Sequence, residues 1–155
     1  MKILKITKAP QGMTVEYSQA GKTGPVTATC YGNQKERQAF STNWKLLADI
    51  VYEFIETTPP GIEVRTVNFK SDDKGSIGAV LSCIVPMKEN NRPWNFNTPV
   101  KYAHPAGFDK PGYLTQNTAS LLSALTLDAE KYVNGEKPQS ELFEGEKDNW
   151  ESKKQ

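Results

Sequence analysis

The sequence predicts one α+β domain, in which two helices pack against a mainly antiparallel sheet. Three observations lead to this class: a length of 155 residues, runs of β-branched residues joined by short turns, and two stretches in which apolar residues recur at helical spacing. Strands that follow one another through short turns pair antiparallel. The expected order is therefore β-β-β-α-β-β-β-α.

The first half of the chain is expected to hold three strands and a helix. Residues 3–7, 14–18 and 25–31 are rich in β-branched residues and are separated by glycine-containing turns. Apolar residues then recur at helical spacing, and the serine and threonine at 41–42 are suitable N-caps, so the helix is expected to begin there. The two prolines at 59–60 end it.

The second half is expected to hold a hairpin, an edge strand and a second helix. The hairpin arms are 62–70 and 76–87, and the second arm has apolar residues on both faces, as an inner strand does. Five residues are expected to alternate on one face of the next strand: Trp94, Phe96, Thr98, Val100 and Tyr102. Pro93 and Pro99 confine this strand to an edge or a bulge. The second helix is expected to begin within 115–117.

The composition changes at Gly135, which marks the predicted domain boundary. Residues 1–134 carry a net charge of +3, whereas residues 135–155 carry −2 and hold only three large apolar side chains. The sequence therefore predicts a single domain at 1–134 and a polar, flexible tail at 135–155. The overall net charge of +1 argues against a nucleic-acid coat protein or a polybasic membrane binder.

The compartment is expected to be the cytoplasm. The N-terminal residues include no apolar run long enough for a secretory signal or a membrane helix. Cys30 and Cys83 are expected to be a reduced, buried pair, with one disulfide as the alternative. Because His104 is the only histidine, no zinc site is predicted.

No catalytic or metal site is predicted, and no cofactor is expected. His104 lies in a loop and is interpreted as an exposed or hydrogen-bonded loop residue. Asp49 and Glu53 are one helical turn apart and are interpreted as the exposed face of an amphipathic helix. The paired acids at 72–73 are ordinary turn residues. An enzyme is thus the least favoured class.

A single-stranded nucleic-acid surface would combine basic and aromatic side chains. The candidates are Arg92, Trp94, Phe96, Lys101 and Tyr102 on or beside one strand, with Lys35, Arg37 and Lys70 elsewhere. Aromatic residues at period-2 spacing are also typical of the half-buried face of a strand, and this core interpretation of Trp94, Phe96 and Tyr102 is the preferred one.

One short motif in the tail points to a partner protein. Gln139, Leu142 and Phe143 form Q-x-x-L-F, in a polar segment that follows a predicted helix cap and a proline. Two apolar anchors supply most of the desolvation gain of a docking peptide, and the glutamine amide fixes its register. The alternative is a hydrophobic latch that folds back onto the domain, or a tail strand added to the sheet edge.

The motif resembles the pentapeptide by which many proteins bind the bacterial sliding clamp. That resemblance implies that Gln139 occupies a small polar pocket and that Leu142 and Phe143 fill a hydrophobic groove. Ser140 stands where the family prefers leucine, and Glu141 where it prefers serine or aspartate. With the strand around Thr98, the motif also makes the chain similar to small proteins that tailed bacteriophages and prophages encode among DNA replication and recombination genes.

Three function hypotheses remain open. The first is a non-enzymatic, phage-type accessory protein of DNA replication or recombination, tethered to the host sliding clamp or another replication protein through Gln139, Leu142 and Phe143. The second is a single-stranded-DNA-binding domain that uses the aromatic strand, with the tail incidental. The third is an inhibitor of a host replication or defence protein, which includes blocking of the clamp groove. All three place the protein in the host cytoplasm.

Overall fold

The computed structural model describes residues 1–9, 12–31, 34–87 and 92–134, and it confirms the α+β class and the predicted element order. All strand pairs are antiparallel, and the sheet order is β3-β2-β1-β4-β5-β6, with β7 beside β5 on the same side as β6. The strands are β1 (Lys2–Ala9), β2 (Gly12–Ser18), β3 (Val26–Tyr31), β4 (Glu63–Ser71), β5 (Ile77–Val85), β6 (Trp94–Asn97) and β7 (Lys101–Tyr102).

The helical segments lie between β3 and β4 and after β7. They are α1 (Gln34–Lys45), α2 (Leu47–Ile50), α3 (Tyr52–Ile55) and α4 (Gln116–Val133). The predicted start of α4 is confirmed, because Thr115 is its N-cap and the Thr115 side chain accepts a hydrogen bond from the Thr118 N–H at 3.2 Å. No helix within the described ranges is long and apolar enough to span a bilayer.

The predicted start of the first helix is wrong. This helix begins at Gln34 rather than at Ser41 or Thr42, which lie inside α1. Phe40 and Trp44 are one turn apart, and both are buried, so the apolar face extends further toward the N-terminus than a serine–threonine pair suggests. Burial of a large aromatic ring outweighs the capping preference of a short polar side chain.

The core lies between the helices and one face of the sheet, which we call the helix-covered face. Ile6, Val15, Val67 and Leu81 of the strands and Leu47, Leu122 and Leu125 of the helices are fully buried there. Cys30 and Cys83 are buried thiols on β3 and β5, two strands that three others separate. This separation confirms that the two thiols are reduced and excludes a disulfide between them. Burial raises the pKa of the Cys83 thiol to about 11.

The opposite face of the sheet is polar, and one row of it crosses six strands. Register pairing aligns Thr29, Thr14, Thr7, Thr66, Ser82 and Asn97 from β3 to β6. Neighbours within the row interact: the hydroxyl oxygens of Thr7 and Thr66 are 3.1 Å apart, and the Ser82 hydroxyl donates to Asn97 Oδ1 at 2.7 Å. We call this surface the polar face.

The predicted edge strand is interrupted, so the prediction that its aromatic residues share one face is wrong. Three residues, 98–100, span the stretch where β5 has only Val80 and Leu81, so the register shifts by one. A shift of one residue moves the following side chains to the other face of the sheet. Phe96 therefore shares the helix-covered face with Cys83, whereas Tyr102 lies over Gly78 on the polar face.

The side chain of Thr98 holds the interruption in place. The Thr98 N–H donates to the Leu81 carbonyl at 2.9 Å, and Thr98 Oγ1 accepts from the Leu81 N–H at 3.0 Å. The Thr98 hydroxyl oxygen thus accepts the Leu81 N–H in the place of a backbone carbonyl of the interrupted strand. The predicted edge position of this strand is confirmed: β6 is the last strand of the sheet.

Candidate functional site

A cleft of about 480 Å³ lies between α3, β7 and the N-terminal end of α4. It opens on the side of the sheet that the helices cover, because Lys101 of β7 stands opposite the buried Ala79. Aromatic rings, lysines and carboxylates meet in it. Its lining is Tyr52, Glu53, Glu56, Lys101, Asp109, Lys110, Pro111, Tyr113 and Thr115.

The carboxylate of Glu53 joins α3 to the beginning of α4. Glu53 is buried, and its oxygens accept hydrogen bonds from the Thr115 N–H at 2.8 Å, the Thr115 hydroxyl at 3.3 Å and the Thr118 hydroxyl. The partial positive charge at the N-terminus of an 18-residue helix favours an anion at this place. Glu53 is therefore fully engaged as part of the framework of the cleft.

The predicted exposure of Glu53 is wrong, whereas Asp49 is exposed as expected. The helical stretch is not continuous: α2 ends at Ile50, and α3 starts at Tyr52. Val51 between them keeps right-handed helical dihedral angles, so the burial of Glu53 is due to the donors of α4, which satisfy its oxygens. A helical periodicity drawn through both residues cannot show this, because those donors lie more than sixty residues further along the chain.

The ammonium group of Lys101 lies in the cleft, and no carboxylate of the described residues is at ion-pair distance from it. Its Nζ donates to the backbone carbonyl of Glu53 at 2.5 Å, and the side chain is half-buried. Within the described ranges the one ion pair joins Arg65 and Glu63, on another side of the molecule. An ammonium group has three donors, so Lys101 can bind a further acceptor. Lys110 adds an exposed positive charge.

Exposed aromatic rings line the cleft and the loop beside it. Tyr52 and Tyr113 are 51% and 38% exposed. Tyr113 makes an edge contact with the ring of His104, with centroids 4.7 Å apart. The Phe108 ring is tilted against the His104 ring, with centroids 4.4 Å apart. His104 Nδ1 accepts from the Ala106 N–H at 3.0 Å, which agrees with a hydrogen-bonded loop residue. A tyrosine with an exposed ring offers a stacking surface.

A second, slightly larger cleft of about 540 Å³ lies between the first helical stretch and β4. Some of its polar groups already have partners within the protein. The Trp44 indole N–H donates to the Val64 carbonyl at 2.8 Å, and Arg65 and Glu63 are 3.8 Å apart. Because Trp44 is buried, the smaller cleft at α4 is the one that offers exposed aromatic surface.

Trp94 and Phe96 form an aromatic surface at the edge of the sheet. Their rings are stacked, with centroids 4.7 Å apart and an interplanar angle of 29°. Phe96 is half-buried against the core, but Trp94 is 53% exposed, so the preferred core interpretation is wrong for Trp94. No second layer covers this corner within the described residues. Arg92, also exposed, is two residues away along the chain.

The other predicted nucleic-acid residues do not form one patch with this pair. Lys101 lies in the cleft, Tyr102 faces the opposite side of the sheet, and Lys70 is exposed at the far end of β4, paired with Gly78. Lys35 and Arg37 belong to α1, but their side chains lie outside what the structure describes. Gln139, Leu142 and Phe143 also lie outside the described residues.

Six of the nine residues that line the cleft were absent from the sequence predictions, among them Tyr52, Lys110 and Tyr113. Tyr52 falls among apolar residues of a helix, and the other two lie in a loop, so only the fold brings them together. The described part of the chain holds no group of three or more histidine, cysteine or acidic residues placed to bind a metal ion. No protein-family model, curated protein or solved structure matches the chain.

Proposed function

We propose that the protein is a non-enzymatic accessory protein of DNA replication or recombination, of the phage type, tethered to a bacterial sliding clamp through Gln139, Leu142 and Phe143. The observation that carries the proposal is the Q-x-x-L-F pattern in the segment after α4. This segment has a net charge of −2 and few apolar residues, so a leucine–phenylalanine step stands out in it.

The position of the motif supports the proposal. Helix α4 ends at Val133, and the Asn134 N–H closes its last turn on the Glu130 carbonyl at 2.9 Å. Four residues then separate this cap from Gln139. Among the described residues, the helices cover the core on one face of the sheet. The motif follows α4, which is the last of these elements along the chain. A docking peptide is commonly placed beyond the last element of the domain that it tethers.

The tether gives a weakly binding domain a high local concentration. Linking two binding modules makes the second binding event intramolecular, with an effective concentration in the millimolar range for a short flexible linker. A domain with a net charge of +3 can then act near DNA without tight DNA affinity of its own. If the same peptide displaces host enzymes from the clamp groove, the protein is instead an inhibitor, which is the alternative form of this proposal.

The test is a titration of the full-length protein into a panel of purified bacterial sliding clamps by calorimetry. We expect binding that weakens at least about thirtyfold when Leu142 and Phe143 are both changed to alanine, because two apolar anchors are lost. Trp150→Ala is the matched control, a large apolar residue of the same segment outside the motif. Absence of binding to every clamp, or equal binding by the double variant, contradicts the proposal.

A second candidate function is binding of single-stranded DNA, and the exposure of Trp94 favours it. The indole is stacked on Phe96 and 53% exposed, so a base can extend the stack. We expect an oligothymidylate to quench the fluorescence of the protein and rising salt to reverse the quenching. In a Trp150→Phe background, Trp94→Ala should remove the signal, since Trp44 is buried. A flat titration at low salt eliminates this candidate.

A further inference from the structure

The cleft at the beginning of α4 has features that neither the clamp tether nor the Trp94 surface uses. It is concave, it holds two exposed tyrosine rings, and at its base lies a half-buried ammonium group with spare donors. A volume of about 480 Å³ is within the range of small-molecule sites. The question is which ligand chemistry these groups complement.

The lysines indicate an anion. Lys101 Nζ contacts the Glu53 carbonyl and no carboxylate at ion-pair distance among the described residues, and Lys110 is exposed on the rim. A partly desolvated ammonium that lacks a counter-charge is unfavourable, and a bound anion removes that penalty. Two donors of the Lys101 ammonium remain available to it.

Two of the three carboxylates of the cleft are already bound to α4. Glu53 accepts from the Thr115 N–H and from two hydroxyls, and Asp109 Oδ1 accepts from the Gln116 N–H at 2.7 Å. Both therefore offset the positive end of the helix rather than the lysines. Glu56 is the remaining carboxylate and is exposed; its backbone N–H, not its carboxylate, caps α3 by donating to the Tyr52 carbonyl at 2.7 Å, in the left-handed region with φ of 66°.

The tyrosines indicate that the anion carries a flat ring. The side chains of Tyr52 and Tyr113 come from different elements, α3 and the loop before α4, and they line the same cleft. Each exposes a large part of its ring, although both could have packed inward on a small domain. Stacking on an aromatic side chain is tolerant of base identity, and phosphate binding by lysine is independent of it.

We propose that this cleft binds a nucleotide, with the base against Tyr52, the more exposed of the two rings, and the phosphate on Lys101 and Lys110. The nucleotide is either a free mononucleotide or one unit of a single strand, since both present the same chemistry. The site is independent of the clamp proposal because it uses no residue of the tail. It is also separate from Trp94, which lies at the other end of the edge strand, opposite Val85 rather than Ala79.

The experiment measures the affinity of the full-length protein for three probes at low salt: thymidine monophosphate, thymidine, and a labelled oligothymidylate of about 12 nucleotides. Thermal shift reports the first two, and fluorescence anisotropy reports the third. Binding of the monophosphate without the oligonucleotide identifies a free-nucleotide site. Tighter binding of the oligonucleotide identifies a strand site. Thymidine that binds as tightly as its monophosphate overturns the phosphate assignment, and absence of binding by all probes overturns the proposal.

Two variants test the residues without endangering the fold. The Tyr52 ring and the Lys110 side chain are exposed, so Tyr52→Ala and Lys110→Ala should leave the melting temperature within about 2 °C of the parent protein. Each should weaken binding of the preferred probe at least about tenfold. Leu127→Ala and Lys74→Ala are matched controls, an exposed apolar and an exposed basic residue outside the cleft lining.

Two further results separate this site from the other proposals. The Leu142 and Phe143 double variant should retain nucleotide binding even if it loses the clamp. Trp94→Ala should also retain nucleotide binding. The proposal is overturned if Trp94→Ala loses nucleotide binding while Tyr52→Ala and Lys110→Ala bind as the parent protein does. That result would assign nucleotide binding to the edge surface.

Discussion

The described part of the chain contains two tryptophan–phenylalanine pairs with opposite environments. Phe40 and Trp44 are tilted at 40° with centroids 5.4 Å apart, and both are buried. Trp94 and Phe96 are stacked at 29° with centroids 4.7 Å apart, and the Trp94 ring is more than half exposed. In both pairs the rings are within aromatic contact distance, so the contact between the rings does not decide which pair belongs to the core.

The difference lies in what covers each pair. Phe40 and Trp44 are one turn apart on α1, and the sheet lies against them, so that the Trp44 indole donates to the Val64 carbonyl at 2.8 Å. Trp94 lies on the last strand, at the end of the face that the helices cover. The same two residue types thus form a structural anchor where two layers meet and an exposed surface where one layer ends.

Trp44→Ala is the largest expected effect on the buried pair. It removes a fully packed indole and leaves a cavity, so we expect a loss of about 3–5 kcal/mol in the free energy of unfolding. Trp44→Phe keeps most of the ring but leaves the buried Val64 carbonyl unpaired, for a loss of about 1–3 kcal/mol. Urea unfolding measures both. A loss of less than about 1 kcal/mol for Trp44→Ala contradicts the assignment of this pair to the core.

The next largest effect concerns the interruption that separates the exposed pair from Tyr102. Thr98 is buried, and its hydroxyl accepts from the Leu81 N–H. Thr98→Val keeps the shape and removes the acceptor, so we expect a loss of about 1–3 kcal/mol in urea unfolding. Thr98→Ser keeps the hydroxyl and is the matched control. Equal losses in the two variants would mean that the methyl group, not the hydrogen bond, stabilises this turn.

The order of elements along the chain and the start of α4 were predictable because they depend on local signals. Glycine-containing turns between β-branched runs lead to antiparallel neighbours, and Thr115 has the position and chemistry of an N-cap. The edge position of β6 followed in the same way from its two prolines. Each of these features is decided within a few residues of chain.

The failures share a different cause, which is contact between distant parts of the chain. Alternation alone placed Trp94 and Tyr102 on one face, but the one-residue shift at 98–100 depends on pairing with β5. Glu53 was expected to be exposed because its donors, Thr115 and Thr118, lie more than sixty residues away. The cleft residues come from α3, β7 and a loop, and no local pattern joins them.

Trp94→Ala should have a small effect on stability, in contrast to Trp44→Ala. Because the indole is 53% exposed and keeps only its stacking contact with Phe96, we expect a loss of about 1 kcal/mol in the free energy of unfolding. Urea unfolding followed by circular dichroism measures this without relying on the lost fluorophore. Phe96→Ala is the comparison, since Phe96 packs against the core and should be the more destabilising of the two. A loss for Trp94→Ala as large as that of Trp44→Ala would mean that the edge pair is covered in solution.

The smallest expected effect is a pH dependence next to the buried pair. Asn43, beside Trp44 in α1, lies with its Nδ2 3.5 Å from Asp128 Oδ2 in α4. Burial raises the pKa of Asp128, against the opposing effects of the Asn43 hydrogen bond and the Lys131 charge. The folded state therefore binds this proton more tightly than the unfolded state, so that the contribution of Asp128 to stability falls as the pH rises from its ordinary pKa through the raised value.

Asp128→Asn removes the titration while keeping the size of the side chain. We expect the variant to melt at a slightly higher temperature than the parent at pH 7, and the two melting temperatures to converge below about pH 4. Asp49→Asn, at an exposed position of α2, is the matched control and should show no such convergence. A variant that melts below the parent at pH 7 would show that the hydrogen bond to Asn43 outweighs the desolvation of Asp128.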